Sequence, residues 1–286
     1  MTEHEFLKTY NIADYERPSI AADIAVFSIM DEKNDDLRRL AERKLKILLV
    51  KRGSHPCKNQ WALPGGFCRP NENVYEAAKR ELLEETSVSN AYLQLSDIYG
   101  DIGRDPRGWI ISSTFLALIN GADYKIHAGA DAWEAQWFDI TFDVQKQVMD
   151  ENTTQNRINL CLKHDITVLN ASIKEVRTFE HCHEHVSYEV EHTEGFAFDH
   201  AKIIACSILD LRKKAIQDER IVFDLMPETF TLTELQQSFE IVLNKELLAA
   251  NFRRKIEKYV VETNETDSGK GFRPAKRFSR NIESFQ

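Results

Sequence analysis

Residues 66–88 read GFCRPNENVYEAAKRELLEETSV, and this stretch decides how the first half of the chain folds. Glu81, Glu84 and Glu85 stand at i, i+3 and i+4, so a helix through them turns three carboxylates to one side. Like charges so placed repel one another and call for a compensating cation. Glu72 and Arg80 lie close by, and the Gly65-Gly66 pair supplies a loop that lets backbone carbonyls approach an ion. Hard oxygen donors suit Mg2+ or Mn2+, which take a few carboxylates together with substrate phosphates. The bland alternative is a solvated acidic helix. Gly66, Glu72 and Arg80 at fixed distances upstream weigh against it.

The spacing G-x5-E-x7-R-E-L-x-E-E, followed by T-S-V, closely resembles the Nudix box. The resemblance implies an α/β/α sandwich that hydrolyses nucleoside diphosphates linked to another group. It also implies that Glu81, Glu84 and Glu85 hold the metal, with the Gly66 carbonyl as a further ligand. Arg80 would orient these carboxylates and Glu72 would support the loop. One position departs: where the family has Gly after the paired acids, this chain has Ser87. That Gly normally ends the helix in a left-handed conformation, which Ser adopts only with strain.

The chain has 286 residues, enough for two domains with separate cores. No apolar run of 18 residues and no charged-then-apolar start is present, so neither a membrane span nor a secretory signal is expected. The five cysteines (57, 68, 161, 182 and 206) are scattered and odd in number. That argues for free thiols in a reducing cytoplasm. The net charge of −9 is unevenly shared: residues 1–200 carry 22 basic against 33 acidic side chains, residues 201–286 carry 15 against 13. Within 252–280 there are 9 basic and 4 acidic residues, the asymmetry expected when one module meets phosphate and the other does not.

Ile20–Met30 and Lys46–Arg52 read as buried strands, with a charged excursion over 31–45 between them. The box helix is expected from about Val74 to Thr86. Ile110–Ile119 and Glu134–Asp139 read as further strands, closing a first domain over residues 1–150. Residues 151–197 read as a linker with an added hairpin at Ile166–Val176 and Val186–His192. His181, His183 and His185 would share one strand face there, which admits a metal reading. No Cys or carboxylate stands at ligand spacing beside them, so an exposed polar face is the better reading.

A winged helix-turn-helix domain is expected over 198–286, and the fold class is therefore α+β. Phe198, Ala201, Ile204, Ala205, Ile208, Leu211 and Ala215 form a helical stripe. Thr231 and Glu234 form a capping box opening a helix over Leu232–Leu243, and a second helix is expected from Leu248 to Val261. This second helix carries Asn251, Arg253, Arg254, Lys255 and Lys258, placed to read a major groove of double-stranded DNA. On the wing that follows, Lys270, Arg273, Lys276, Arg277 and Arg280 would contact phosphate.

The combination resembles the Nudix-related transcriptional regulators of NAD metabolism. Its motifs are KRGSHPCKNQWALPGGF at 51–67, FDHAKIIA at 198–205, FTLTELQ at 230–236, NFRRK at 251–255 and RPAKRF at 273–278. The last four look like that family's DNA-binding domain. The resemblance implies a homodimer whose Nudix domain senses ADP-ribose or a related nucleotide and whose winged helix binds operator DNA. Members either only sense or also hydrolyse. Arg104 and Arg107 are candidates for phosphate contact, and Trp61 and Phe67 for stacking on adenine, with core packing the alternative for both rings. The general base is unplaced, a box Glu or a residue outside it such as Glu134. A plain Nudix hydrolase with a C-terminal dimerisation domain and a silent nucleotide sensor remain competing readings.

Overall fold

A computed structural model describes residues 1–31, 43–89, 91–121, 124, 132–148, 152–267 and 275–285. A short exposed helix, α1 (Glu3–Thr9), precedes strands β1 (Ser19–Asp31), β2 (Arg43–Arg52), β3 (Trp61–Ala62) and β4 (Gly65–Phe67). The box helix α2 (Val74–Thr86) is followed by β5 (Tyr92–Tyr99), β6 (Ile110–Leu118), β7 (Ala132–Val148), β8 (Thr153–His164), β9 (Thr167–Glu180) and β10 (His183–Glu194). These strands form one sheet in the order β10-β9-β8-β7-β2-β1-β6-β5, with β3 paired to β2 and β4 to β1. β1 and β6 run parallel and the neighbouring pairs antiparallel.

The central strands are buried on both faces, and the alternation along them shows why. Ala22, Ile24 and Val26 of β1, Leu48 of β2 and Phe115 and Ala117 of β6 pack on Ala77, Ala78 and Leu82 of α2. The intervening Ala25, Phe27, Ile29, Ile47, Leu49, Leu116 and Leu118 face the opposite way, into a core that also holds the buried stripe of α3 (His200–Gln217). Period-two side chains between two helices make the sandwich that the box implied.

The segment expected as a linker is part of this sheet. β7 runs on past Asp139 to Val148 and pairs along its length with β8, which pairs with β9, which pairs with β10. His181 lies in the turn, and His183, His185 and Val186 are exposed on the outermost strand. Among the described residues these histidines belong to no group of three or more His, Cys, Asp or Glu side chains that could hold a metal ion. All five cysteines are free.

Helix α3 joins the two halves. Its buried stripe of Ala201, Ile203, Ile204, Ile208 and Leu211 belongs to one continuous core. That core also holds Phe27 and Leu116 of the sheet, and Val222, Phe223, Leu235 and Phe239 beyond it. Beyond a 3-10 segment (Glu219–Leu225) come β11 (Thr229–Phe230), α4 (Leu232–Leu243), α5 (Ala249–Ile256), β12 (Val260–Asp267) and β13 (Ala275–Arg280). The last sheet runs β11-β13-β12. The Thr231–Glu234 capping box forms, with both reciprocal bonds made. The second helix is shorter than expected: it stops at Ile256, and Lys258 lies in a 3-10 turn instead. Val260 already pairs with Arg280, so strand pairing takes over from the helical pattern. No helix among the described residues is long and apolar enough to cross a membrane.

Candidate functional site

Asn73 starts α2 with a capping box: its side chain accepts from Tyr75 N and Glu76 N, and Glu76 accepts from Asn73 N. The helix ends at Ser87, which adopts φ 63° and donates its N–H to the Leu83 carbonyl. Between these ends Arg80 is the organising side chain. It holds Glu72 through two bonds of 2.9 and 2.6 Å, Glu81 at 2.5 Å, Glu84 at 3.2 Å and the Phe67 carbonyl at 3.2 Å. Glu72 also accepts from Arg69 N at 2.8 Å, so one guanidinium ties the loop to the helix. The Arg80 hydrogen bond, with further help from Arg69, holds the Glu72 carboxyl down at about 2.

The three box acids do not all face the same way. Glu81 and Glu85 line a pocket of about 350 Å³ with Gly65, Gly66 and Asp23, whereas Glu84 is half exposed and turned to Arg69 and Arg80. Glu81 lies so close over Gly66 that a Cβ there would come within 2.4 Å of its Oε1 and push this carboxylate from its place beside Arg80. Glu85 accepts from Gly65 N at 2.9 Å. Burial, with Glu81 and Asp23 adding like charge, pushes its carboxyl up to about 8. A buried acid crowded by two others fits a divalent cation at Glu81, Glu85 and the Gly66 carbonyl.

The opposite wall is basic. Arg52, Arg104 and Arg107 line the same pocket, together with Lys51, Phe67, Phe198 and His200. Arg107 is clamped by Asp105 and lies over the Phe67 ring at 4.9 Å and the Phe198 ring at 5.3 Å. Arg52 covers Phe198 at 4.9 Å. Burial, and then the Arg107 charge, lowers the Arg52 pKa. Arg104 is 5% exposed and forms a two-bond pair with Asp199 at 2.9 and 2.8 Å. His200 is buried, accepts from Leu63 N at 2.9 Å, and has its pKa lowered by that burial. Crowded guanidinium groups facing crowded carboxylates suit an anion bound together with a cation.

Of the two rings proposed for stacking, Phe67 faces this pocket. Trp61 does not: it is 4% exposed, edge-on to Phe138 at 4.7 Å, and belongs to the core. Glu134 pairs with Lys51 at 3.6 Å and stands outside the pocket lining. Asp23, Arg52, Phe198 and His200 are pocket residues that motif reading missed. Asp23 left a signal, as the lone charge within the apolar run of β1. FDH at 198–200, which motif resemblance assigned to the DNA-binding half, instead closes the pocket.

On the second half, Phe252 and Ile256 anchor α5 inward while Asn251, Arg253, Arg254 and Lys255 stand exposed. Arg254 donates to Asn251 at 3.3 Å, and Lys255 pairs with Glu219 at 2.8 Å. Lys276 pairs with Glu262 on the neighbouring strand. Arg277 is tied to the Thr229 carbonyl at 2.6 Å, where it fastens β11 to β13 rather than reaching outward. Arg280 likewise turns inward, to the Pro227 and Met226 carbonyls. Lys270 and Arg273 lie outside the described residues.

The NUDIX domain family matches residues 25–147, and the NrtR DNA-binding winged helix domain family matches residues 222–279. Over 99% of its length the chain is 30% identical to the ADPR responsive transcriptional repressor NtrR of Acinetobacter baylyi, covering 90% of that protein. The chain belongs to the NrtR family of Nudix-related regulators. Its Nudix part is also 41% identical over 117 residues to the ADP-ribose pyrophosphatase of Methanocaldococcus jannaschii, 39% of this chain and 68% of that one. Among solved structures it resembles a MutT/nudix family protein from Enterococcus faecalis, with TM-score 0.66 at 24% identity, covering 98% of this chain and 94% of that one. It also resembles Shewanella oneidensis NrtR complexed with a 27mer DNA, with TM-score 0.60 at 23% identity, covering 93% and 94%. At these identities the likeness is one of fold. In this NrtR-family chain, α3 therefore lies between the two family matches, touching pocket and winged helix alike.

Proposed function

We propose that this chain is a DNA-binding transcriptional regulator that responds to ADP-ribose or a closely related nucleotide, and that its Nudix pocket also hydrolyses that ligand. The observation that carries this reading is the single pocket in which Arg52, Arg104 and Arg107 face Glu81, Glu85 and Asp23. A pyrophosphate matches the guanidinium wall, since Arg binds phosphate through paired donors. Phe67 is exposed at the pocket and suits a flat base, whereas Phe198 is already covered by Arg52 and Arg107.

Glu81, Glu85 and the Gly66 carbonyl would hold Mg2+ or Mn2+. Such an ion neutralises the pyrophosphate and lowers the pKa of the attacking water. Arg80 fixes the rotamer of Glu81 and, through Glu72, the loop that carries Gly66. Arg104 and Arg107 orient the diphosphate, and cleavage yields AMP and ribose 5-phosphate. The exposed Asn251, Arg253, Arg254 and Lys255 of α5 serve for DNA contact, on a chain that acts as a homodimer.

The test is incubation with ADP-ribose and Mg2+ while following AMP release and displacement of the protein from labelled DNA upstream of candidate target genes. Ligand-dependent release from DNA is expected, with AMP formation lost in Glu81→Gln. AMP formation without any sequence-specific DNA footprint would instead establish a hydrolase whose C-terminal half only dimerises. Binding of ADP-ribose with no AMP even in Mn2+ would leave a sensor.

A further inference from the structure

Helices α1, α2 and α4 begin alike. Thr2, Asn73 and Thr231 have extended backbones, with ψ of 160°, 168° and 156°, and each side chain accepts from the backbone of the first turn. Helix α3 begins with Asp199, a residue type equally suited to capping. Yet Asp199 has ψ 16° and makes no side-chain cap bond. Its two carboxylate oxygens are both taken by Arg104 of the pocket, at 2.9 and 2.8 Å. In the first turn His200 N donates to the Ala197 carbonyl and Lys202 N and Ile203 N to the Asp199 carbonyl, which leaves Ala201 N as the donor that a side-chain cap would serve.

The surroundings make this choice consequential. Phe198, next in the chain, is a pocket wall held at φ 50°, the left-handed region that a bulky side chain adopts only under constraint. Leu63 N donates to His200 on the other side, and Lys202 pairs with Asp101 on the loop that carries Arg104. The first turn of α3 is thus fastened to the pocket. Its later turns lie in the core shared with Phe223, Leu235 and Phe239 of the winged helix.

We propose that Asp199 is a two-position switch, holding Arg104 in the ligand-free protein and capping α3 once a pyrophosphate has taken that guanidinium. The inference rests on the nucleotide reading of the pocket and adds how its occupancy is felt elsewhere. A pyrophosphate offers Arg104 paired oxygens with more charge than a carboxylate. Release lets Asp199 turn from ψ 16° to the extended backbone of the other caps. That rotation lies between Phe198 and α3, so it moves the pocket wall relative to the helix that carries the winged domain.

Hydrogen exchange of the 199–206 segment, with and without ADP-ribose, tests this alongside calorimetric binding. In the wild type, ADP-ribose should slow exchange in the first turn of α3 about fivefold, the equivalent of one N-cap hydrogen bond. Asp199→Asn keeps a capping side chain but loses the ion pair, so its first turn should be protected before ligand is added and ADP-ribose should add little. Arg104→Gln frees Asp199 from the other side. It should show the same protection without ligand, while binding ADP-ribose at least tenfold more weakly. A merely structural pair would instead leave α3 less protected in both variants, which would overturn the switch. So would a wild type that binds ADP-ribose without change in this segment. A wild type that binds no ADP-ribose would refute the nucleotide reading itself, and the switch with it.

Discussion

Replacing Glu85 by Gln measures what burial, and then the neighbouring acids, cost the Glu85 carboxylate. In the folded chain the Glu85 carboxyl is pushed from 4.5 up to about 8, because burial disfavours the charged form and Glu81 and Asp23 add like charge. A carboxyl raised in this way destabilises the fold wherever the unfolded chain is ionised and the folded one is not. Below pH 4.5 both states keep the proton and Glu85 contributes nothing. Between 4.5 and about 8 the unfolded state releases it first, so stability falls as pH rises; above about 8 the deficit is complete and constant. A shift of about 3.5 units at ~1.36 kcal/mol each amounts to roughly 5 kcal/mol. Gln at this position still accepts from Gly65 N. Calorimetric melting in chelator should therefore find Glu85→Gln within about 1 kcal/mol of wild type near pH 4.5. At pH 8.5 it should melt roughly 10 °C higher, at about 2 °C per kcal/mol for a chain of this size. Adding Mg2+ or Mn2+ should then lift the wild type and leave the variant where it was. Melting curves that stay parallel across the range, or a Gln variant that melts lower at pH 8.5, would mean that the Glu85 carboxyl is not held protonated by its surroundings.

Three further outcomes follow from particular contacts. Ser87→Gly should stabilise the chain by about 0.5–1 kcal/mol in urea unfolding, since Ser87 sits exposed at φ 63° and Gly takes that conformation without a Cβ clash. Thr231→Ala removes the side-chain half of the α4 capping box and should destabilise the winged domain by about 1 kcal/mol, read from amide exchange in 232–243. Arg254→Ala should weaken binding to double-stranded DNA and reduce its salt slope by about 1, while calorimetry finds ADP-ribose binding unchanged. Loss of ADP-ribose affinity in that variant would contradict the separation of the two sites.

What could be read from sequence was what local chemistry decides. α2 was legible from end to end because its start, its acid spacing and its exit at Ser87 are all set within a few residues. α4 was legible for the same reason, through Thr231 and Glu234. α5 was not. Its apolar spacing carries on through Tyr259, but Tyr259 packs on Phe223 and Phe285 and Val260 pairs with Arg280, contacts made with distant residues. The joining of β8 to β7 was hidden too, because polar residues such as Asp143, Gln145 and Gln147 alternate weakly along the paired length.

The pocket shows the limit most clearly. Glu81 and Glu85 come from one motif, and Arg104 and Arg107 were named as candidates for phosphate contact, whereas Asp23, Arg52 and the closing residues 198–200 were not singled out for the pocket. Only the fold brings Asp23, Arg104 and Asp199 together, and no spacing rule relates them. Motif resemblance assigned FDH at 198–200 to the DNA-binding half, and in the fold Phe198 and His200 line the pocket. Those residues lie against Leu63, Arg52 and Arg104, and α3 grows directly out of them. A segment that both closes one site and begins the helix supporting another belongs to neither domain alone. In a chain whose two halves share one core, residues of this kind are where ligand binding and DNA binding can influence each other.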